Sequence, residues 1–184
     1  MNKHNIVPGI VFSALTVLLA AGAGGCALSV EADVPEIEVT KKDVMFEGVP
    51  LGMAFGPVSM SKTFSQKHSA LELPEGLTTE IHAIGVTLKA KNGIKDFSFL
   101  QQLHLTMSDE KDPTKAVELI AYDQDPTKPA TDTLTMISKN PANALDQWKT
   151  EEAMFSIQVM GTLPSENWSA DIIMRFGGSV KYSR

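Results

Sequence analysis

Two acidic loops carry the residues best suited to hold a metal ion. The tetrapeptide Asp-Pro-Thr-Lys occurs at residues 112–115 and again at 125–128, with further acids beside each copy. Oxygen-rich loops of this kind bind Ca²⁺, which takes roughly six to eight oxygen ligands. If residues 116–123 form one strand, however, the two loops lie at its opposite ends, about 20 Å apart. We therefore predict solvated Asx-Pro turns and no metal site.

The histidines are a second place to look for chemistry. His68 lies in a predicted loop, His82 at the edge of an apolar face, and His104 on the polar face of a predicted strand. Their spacing does not make a metal pair, and none accompanies a serine in a nucleophile-elbow pattern. We expect surface or core-edge roles for all three.

Methionine is abundant, and clustered thioethers bind Cu(I). Where methionine falls in a strand pattern, however, its flexible side chain is an adaptable core filler. The sequence therefore predicts no copper site, and it predicts neither a catalytic residue nor a cofactor. The methionines in strand patterns are Met107, Met154, Met160 and Met174.

The segment from Gly48 to Met60 is apolar and rich in glycine and proline, which is unusual for a loop. Such a segment is able to fold over a ligand. We treat it as a candidate binding lip. Its contact residues would be Pro50, Met53, Phe55 and Met60.

The only cysteine, Cys26, follows the small residues Ala23, Gly24 and Gly25. Before them lies an apolar stretch from residue 6 to 23, preceded by a short start that carries Lys3 and no acid. The arrangement resembles the lipobox of bacterial lipoproteins. The resemblance implies that residues 1–25 are a signal peptide and that Cys26 carries a diacylglyceryl group and an N-acyl chain, which would be its only cofactor-like modification. Two or more acyl chains anchor a protein stably to a membrane.

Two other interpretations of the amino-terminal segment remain open. An ordinary signal peptide would be cut after Ala21 or Ala23, and a retained helix of about 18 residues would just span a bilayer. If Cys26 is lipidated, Ala27 at the following position, in place of Asp, resembles the pattern that permits transfer to the outer membrane of Gram-negative bacteria. We expect export and a lipid anchor in that membrane.

Charge excludes one class of partner. Without Lys3 and the rest of the signal, the chain has 15 basic and 22 acidic residues, a formal charge of −7. An acidic chain without a basic run lacks the electrostatic footprint of a nucleic-acid-binding protein. The sequence therefore predicts no nucleic acid among the partners.

The pattern beyond the signal is that of half-buried strands, in which apolar and polar residues alternate. We predict an irregular acidic tether at residues 26–35 and a single β-sandwich domain at 36–184. The fold class is all-β, an antiparallel sandwich of about 7–9 strands with one short helix at residues 141–151, its N-cap Asn140. The strands are predicted at 36–40, 44–47, 57–65, 79–91, 97–107, 116–123, 132–138, 155–163 and 170–176.

Parts of these strands resemble small lipoproteins with an immunoglobulin-like or LEA-like sandwich. The resemblance rests on residues 96–100, 105–107, 160–164 and 168–176, about half of the predicted domain. It implies a fold and no activity.

Two functional hypotheses follow. The first is a non-enzymatic outer-membrane lipoprotein whose sandwich binds an envelope protein or has a structural role. The alternative is a carrier or sensor that holds a small apolar ligand between its sheets or under the lip. An enzyme comes third.

Overall fold

The structure is a computed structural model that describes residues 29–50, 56–68, 77–139 and 142–183. Within them are eight strands, one 3₁₀ turn at Pro113–Lys115 and one helix of a single turn, α1, at Leu145–Trp148. The strands are β1 (Ser29–Phe46), β2 (Val58–Lys67), β3 (Leu77–Ala90), β4 (Leu100–Asp109), β5 (Val117–Asp123), β6 (Thr133–Ile137), β7 (Glu152–Gly161) and β8 (Trp168–Ser183).

The strands pair as one long hairpin wound around the core. β1 pairs with β8, β2 with β7, β3 with β6 and β4 with β5, all antiparallel. Two further pairs, β3 with β8 and β4 with β7, join these into sheets of order β1-β8-β3-β6 and β2-β7-β4-β5. This is the jelly-roll form of the β-sandwich. The predicted antiparallel all-β sandwich is confirmed, but its strand order differs from that of an immunoglobulin domain.

Alternation along the strands fills the space between the two sheets. In β7, for example, Phe155, Ile157 and Val159 are buried while Ser156 and Gln158 face outward. Each large apolar side chain that is fully buried stabilises the fold by about 1.5–3 kcal/mol. The most completely buried side chains include Leu103, Leu105, Met107, Ile172, Met174 and Phe176.

A tryptophan closes each end of the sandwich. Trp168, the first residue of β8, stacks on Phe46 with ring centroids 4.0 Å apart and meets the edge of Phe99 at 5.1 Å. Trp148 in α1 packs against Phe176 at 5.1 Å and the ring of His68 at 4.5 Å. β8 thus begins two residues before the predicted strand at 170–176, and it continues to Ser183.

The amino-terminal part of β1 differs from the predicted irregular tether. Residues 29–34 pair with residues 178–183 of β8, so the tether prediction is wrong from Ser29 onward. The sequence also predicted two short strands, at 36–40 and 44–47, where the structure has one. They are joined across a bulge at residues 41–44, where Asp43 has φ of +51°.

Two other elements are shorter than predicted. The helix spans Leu145–Trp148 rather than residues 141–151, and Asn143 Oδ1 accepts the Leu145 N–H at 3.0 Å. Asn140 and Pro141, the predicted helix start, lie outside the described residues. β4 begins at Leu100 rather than at Phe97, because the Leu100 N–H turns back to the Phe97 carbonyl at 3.1 Å.

A buried carboxylate holds the bulge of β1. Asp171 in β8 is 9% exposed; its Oδ1 accepts the Asp43 N–H at 3.0 Å and its Oδ2 lies 3.2 Å from Lys91 Nζ. Burial, the largest influence, raises the pKa of Asp171, but this hydrogen bond and the Lys91 charge together outweigh it. The net result is a pKa below the usual value.

Candidate binding groove

An open groove of about 610 Å³ lies between the edge strands β5 and β6. β5 is the last strand of one sheet and β6 the last strand of the other, so the two sheets part along this side. Phe97 and Met136, both buried, lie at its base, and Tyr122 and Leu134 are half-buried beside them. The groove is therefore apolar below and polar above, as binding sites commonly are.

In β6 the backbone N–H and C=O groups of every second residue point toward the groove. The Ser138 N–H donates to the Ile84 carbonyl, and the Ala90 N–H donates to the Asp132 carbonyl. The N–H and C=O groups of the even-numbered residues of β6 therefore point toward β3, because both backbone groups of a residue in an antiparallel strand point to the same side. The N–H and C=O of Thr133, Thr135 and Ile137 point to the open side.

The same reasoning applies to β5. The Gln124 N–H donates to the Gln101 carbonyl at 2.8 Å, so the backbone N–H and C=O groups of Gln124 and Tyr122 point toward β4. Ala121 and Asp123 then direct their backbone groups away from β4, toward the open side. Two rows of backbone donors and acceptors thus border one groove.

The link between the two strands shapes the upper wall. Asp125 Oδ1 accepts the Thr127 N–H at 3.0 Å, and the Lys128 N–H donates to the Asp125 carbonyl at 3.1 Å. This is an Asx turn, as the sequence predicted for the segment. Farther along, the Phe97 N–H donates to the Thr131 carbonyl at 3.2 Å. The link is therefore tied to the base of the groove.

The charges of the groove are divided between its two ends. Asp123 and Asp125 lie where β5 ends, with Lys128 at 3.8 Å from Asp125, and Lys139 lies just beyond the end of β6. The Thr127 hydroxyl and N–H, and less strongly the Lys128 charge, hold the pKa of Asp125 below its usual range. Burial, and then the Asp125 charge, raise the pKa of the Tyr122 phenol. At neutral pH the aspartate is charged and the tyrosine is neutral.

The groove lies in the half of the sandwich that is away from the start of β1. Ser29 pairs with Ser183, and Phe46 at the other end of β1 pairs with Trp168. Phe97 belongs to the Trp168 end, because it touches Phe99, which touches Trp168. Ile137 pairs with Gly85, Gly85 with Arg175 and Arg175 with Glu38, so the groove extends as far as the middle of β1. Ser29 lies nine residues before Glu38, which is about 30 Å along an extended strand.

The two acidic loops lie at opposite ends of β5, as predicted. In the first, Asp112 faces Lys115 at 3.2 Å, and bonds from Thr114 and Lys115 hold its pKa below the usual value. In the second, Asp125 faces Lys128 at 3.8 Å. Across the described ranges, no three acidic, histidine or cysteine side chains come together as metal ligands would.

The histidines are dispersed over the molecule. His104 Nδ1 lies 2.9 Å from Glu118 Oε2 on the outer face of its sheet, and both side chains are about half exposed. His82 is half-buried in β3, and His68 packs on Trp148. The structure does not bring the three together.

The remaining predicted residues have mixed outcomes. Met107 and Met174 are buried in the core as predicted, but Met154 and Met160 lie half-exposed on the outer face of β7 and are not core fillers. Met60 belongs to β2 and packs against the core rather than forming a lip.

The other residues predicted for the lip and the anchor do not line the groove or lie outside the described residues. Pro50 is exposed after β1, where the preceding Val49 N–H donates to the Pro164 carbonyl. Met53 and Phe55 lie outside the described residues, as do Ala23, Gly24, Gly25 and Cys26. None of the helices in the described part of the chain is long and apolar enough to cross a membrane.

Sequence reasoning did not single out the groove. Tyr122, Thr135 and Ile137 look like ordinary strand residues, and only the pairing of strands shows that β5 and β6 are both edges. The available signal was the link at residues 124–132, where two prolines between short strands indicate a passage from one sheet to the other.

Comparisons with known proteins give little beyond this geometry. No family model matches the chain, and no curated protein matches it in sequence. Among solved structures, it is similar to the decameric BFDV capsid protein, at 8% identity and a TM-score of 0.31 over 86% of this chain and all of that one. The 60-mer form of the BFDV capsid protein gives 9% identity and a TM-score of 0.27, over 86% of this chain and 94% of that one. Similarity this low carries no conclusion about function.

Proposed function

We propose that this chain is an exported lipoprotein, anchored through Cys26 in the outer membrane of a Gram-negative bacterium, that binds an envelope protein without catalysis. The groove between β5 and β6 is the contact surface. The observation that carries the proposal is the position of the groove, in the half of the sandwich away from Ser29. A protein held by Cys26 would present that half to its surroundings.

The short distance from Cys26 to the fold supports this orientation. Ser29 is the third residue after Cys26, and an extended chain spans at most about 3.6 Å per residue. A lipid on Cys26 would therefore hold the start of β1 within about 11 Å of the membrane surface. The domain would stand on that end, with little freedom to turn the groove toward the lipid.

The groups in the groove favour binding over catalysis. A general acid or base needs a pKa near the working pH. The pKa of Asp125 is held low instead, and that of Tyr122 is raised from an already high value. Asp123 accepts a hydrogen bond from Gln102 at 2.9 Å. These side chains are suited to contact a partner.

The anchor is tested with Cys26→Ser. The wild-type protein should fractionate with membranes and carry acyl mass on Cys26, whereas Cys26→Ser should be released from them. Cys26→Ala, which also cannot be acylated, is the matched variant and should behave the same way. An unmodified sulfur in the native protein would refute the anchor.

A second candidate function is favoured by the size of the groove. A volume of about 610 Å³ falls within the range of small-molecule pockets, about 300–1,000 Å³. The groove would then hold a small apolar ligand above Phe97. Native mass spectrometry of the protein purified from membranes distinguishes the two: a retained small molecule of constant mass supports the carrier, and its absence supports the protein partner.

A further inference from the structure

We propose that the partner segment in the groove is an extended polypeptide strand of about five to seven residues, which adds to the free edge of β6. This inference rests on the proposed function and deepens it, because it gives the chemistry by which the partner is recognised. Strand addition to an exposed sheet edge obtains affinity from backbone hydrogen bonds and specificity from alternate side chains.

The first support is the unpaired backbone of β6. Thr135 and Ile137 direct N–H and C=O groups away from β3, and in the described part of the chain no other backbone group bonds to them on that side. The Thr133 carbonyl, in contrast, is taken by the Thr131 hydroxyl at 2.5 Å. The free edge therefore begins at the Thr133 N–H and continues through Ile137.

The second support is the alternation that the groove would impose on a strand. A residue placed opposite Thr135 would point outward, on the side where the Thr135 and Thr87 hydroxyls meet at 3.2 Å. Its two neighbours would point inward, toward Leu134, Met136 and the ring of Phe97. The expected pattern in the partner is apolar, polar, apolar.

The third support is an exposed apolar side chain at the same edge. Ile137 is 72% exposed, more than any other large apolar side chain described. A partner strand beside β6 would cover part of it. An isolated exposed isoleucine is ordinary, but one at the end of an unpaired edge is where an added strand would lie.

The two ends of the groove differ in charge. Asp123, Asp125 and Lys128 lie at one end, where Lys128 pairs with Asp125 at 3.8 Å and leaves one net negative charge, and Lys139 lies at the other end. A strand with a basic residue near the first end and an acidic residue near the second would be complementary in charge. This polarity would fix the direction of the strand and exclude the reverse alignment.

The experiment uses the full-length chain in cells, with the photoreactive residue benzoylphenylalanine in place of Ile137. It is repeated in two backgrounds, Thr135→Pro and Thr135→Ala. Proline removes the N–H that faces the groove and is tolerated on an edge strand whose N–H faces solvent. Alanine shortens the same side chain and keeps the N–H. A control chain carries benzoylphenylalanine at Thr63, exposed on the opposite side of the sandwich.

The expected result is crosslinking from position 137 to a protein segment with alternating apolar residues. Thr135→Pro should lower the yield at least about tenfold and Thr135→Ala less than about threefold, since only proline removes a backbone hydrogen bond. Position 63 should not crosslink the same segment.

The other outcomes separate this inference from the proposed function. Equal yields with Thr135→Pro and Thr135→Ala would refute strand addition and leave a protein partner in the groove. Crosslinks to lipid, or to a second copy of this chain, would refute both the strand and an envelope partner.

If Thr135→Pro fails to fold, hydrogen exchange replaces it. In the crosslinked complex the amides of Thr135 and Ile137 should exchange at least about tenfold more slowly than in the free protein. Unchanged exchange at both amides would refute the strand.

Discussion

Asp171 concentrates several interactions of the fold in one carboxylate. Among the described residues it is the only charged side chain that is buried. One carboxylate oxygen accepts the Asp43 N–H, which belongs to the neighbouring strand β1. The other pairs with Lys91, which lies in the turn after β3. A buried charge is tolerated only when it is paired in this way. The bulge of β1 therefore depends on Asp171.

We expect Asp171→Asn to lower the free energy of unfolding by about 1.5–3 kcal/mol at pH 7, because a charge-assisted hydrogen bond and an ion pair are lost. Urea denaturation measures the change. The control is Asp146→Asn, whose exposed carboxylate pairs with Lys149 at 2.8 Å and should cost no more than about 0.5 kcal/mol. Equal losses in the two variants would contradict the role given to Asp171.

The lowered pKa of Asp171 predicts part of the pH dependence of the protein's stability. The pKa of Asp171 is lower in the folded state than in the unfolded state, where it is about 3.9. Its contribution to stability is therefore complete above that value and is lost as the pH falls through the folded pKa. Between pH 7 and pH 3, wild-type protein should lose more stability than Asp171→Asn in urea titrations. Parallel losses would show that Asp171 is not involved.

Trp148 permits a test of the closed end of the sandwich. It is 2% exposed, and within the described structure its Nε1 has no hydrogen-bond partner. Trp148→Ala should destabilise the protein by about 3–5 kcal/mol, because it empties the space against Phe176. Trp148→Phe keeps an aromatic ring and gives up only an unpartnered N–H, so its cost should be less than half as large. Thermal unfolding of the pair decides this.

At the scale of elements, the edge strands show how the molecule limits unwanted pairing. β1 has two irregularities in its ladder and β5 has one, whereas β2 pairs with β7 over ten residues without interruption. Regular edges invite association with other chains. Lys41 Nζ donates to the Ser65 carbonyl at 3.1 Å and lies 5.7 Å from the Phe64 ring, so it covers part of the regular edge.

Lys41→Ala should therefore increase self-association. The substitution frees the Ser65 carbonyl while changing the stability of the monomer by less than about 1 kcal/mol, since the lysine is on the surface. Sedimentation velocity should show more dimer in Lys41→Ala than in the wild type or in Lys111→Ala, an exposed loop variant with the same change of charge. A monomer at all concentrations would refute the protective role.

The strands were predictable because each has one buried face, and the errors have local causes. Residues 29–34 do alternate, with Glu31 and Asp33 exposed and Ala32 and Val34 half-buried, but Pro35 obscured the continuation into β1. α1 begins at Leu145, four residues after the predicted start, and there Asn143 Oδ1 accepts the Leu145 N–H. The bulge of β1 depends on Asp171, about 130 residues away, which no local pattern contains.

At the scale of the whole molecule, the limiting information is which strands become neighbours. Phe97 and Tyr122 fall within predicted strands, but a groove exists only because β5 and β6 end different sheets on the same side. That arrangement results from pairing between distant segments. The candidate groove was therefore beyond what alternation and turn residues are able to predict, whereas the sandwich itself was not.

The first part of β1 is testable as a structural element. A chain that begins at Ser29 should be as stable as one that begins at Cys26, because the pairing with β8 starts there. A chain that begins at Glu36 loses six residue pairs, including the contacts of half-buried Val34, and its Tm should fall by roughly 5–10 °C. Differential scanning calorimetry makes the comparison. An unchanged Tm would restore the predicted tether.

The pairing of β1 with β8 also limits when the chain is able to fold during its synthesis. β1 is the first described strand to leave the ribosome, and β8, its hydrogen-bonded neighbour in the sheet, is the last. In a nascent chain β1 therefore lacks its partner strand until nearly the whole chain has been synthesised. Such a chain would remain unfolded during translation, as passage through a secretion pore would require if the proposed export takes place.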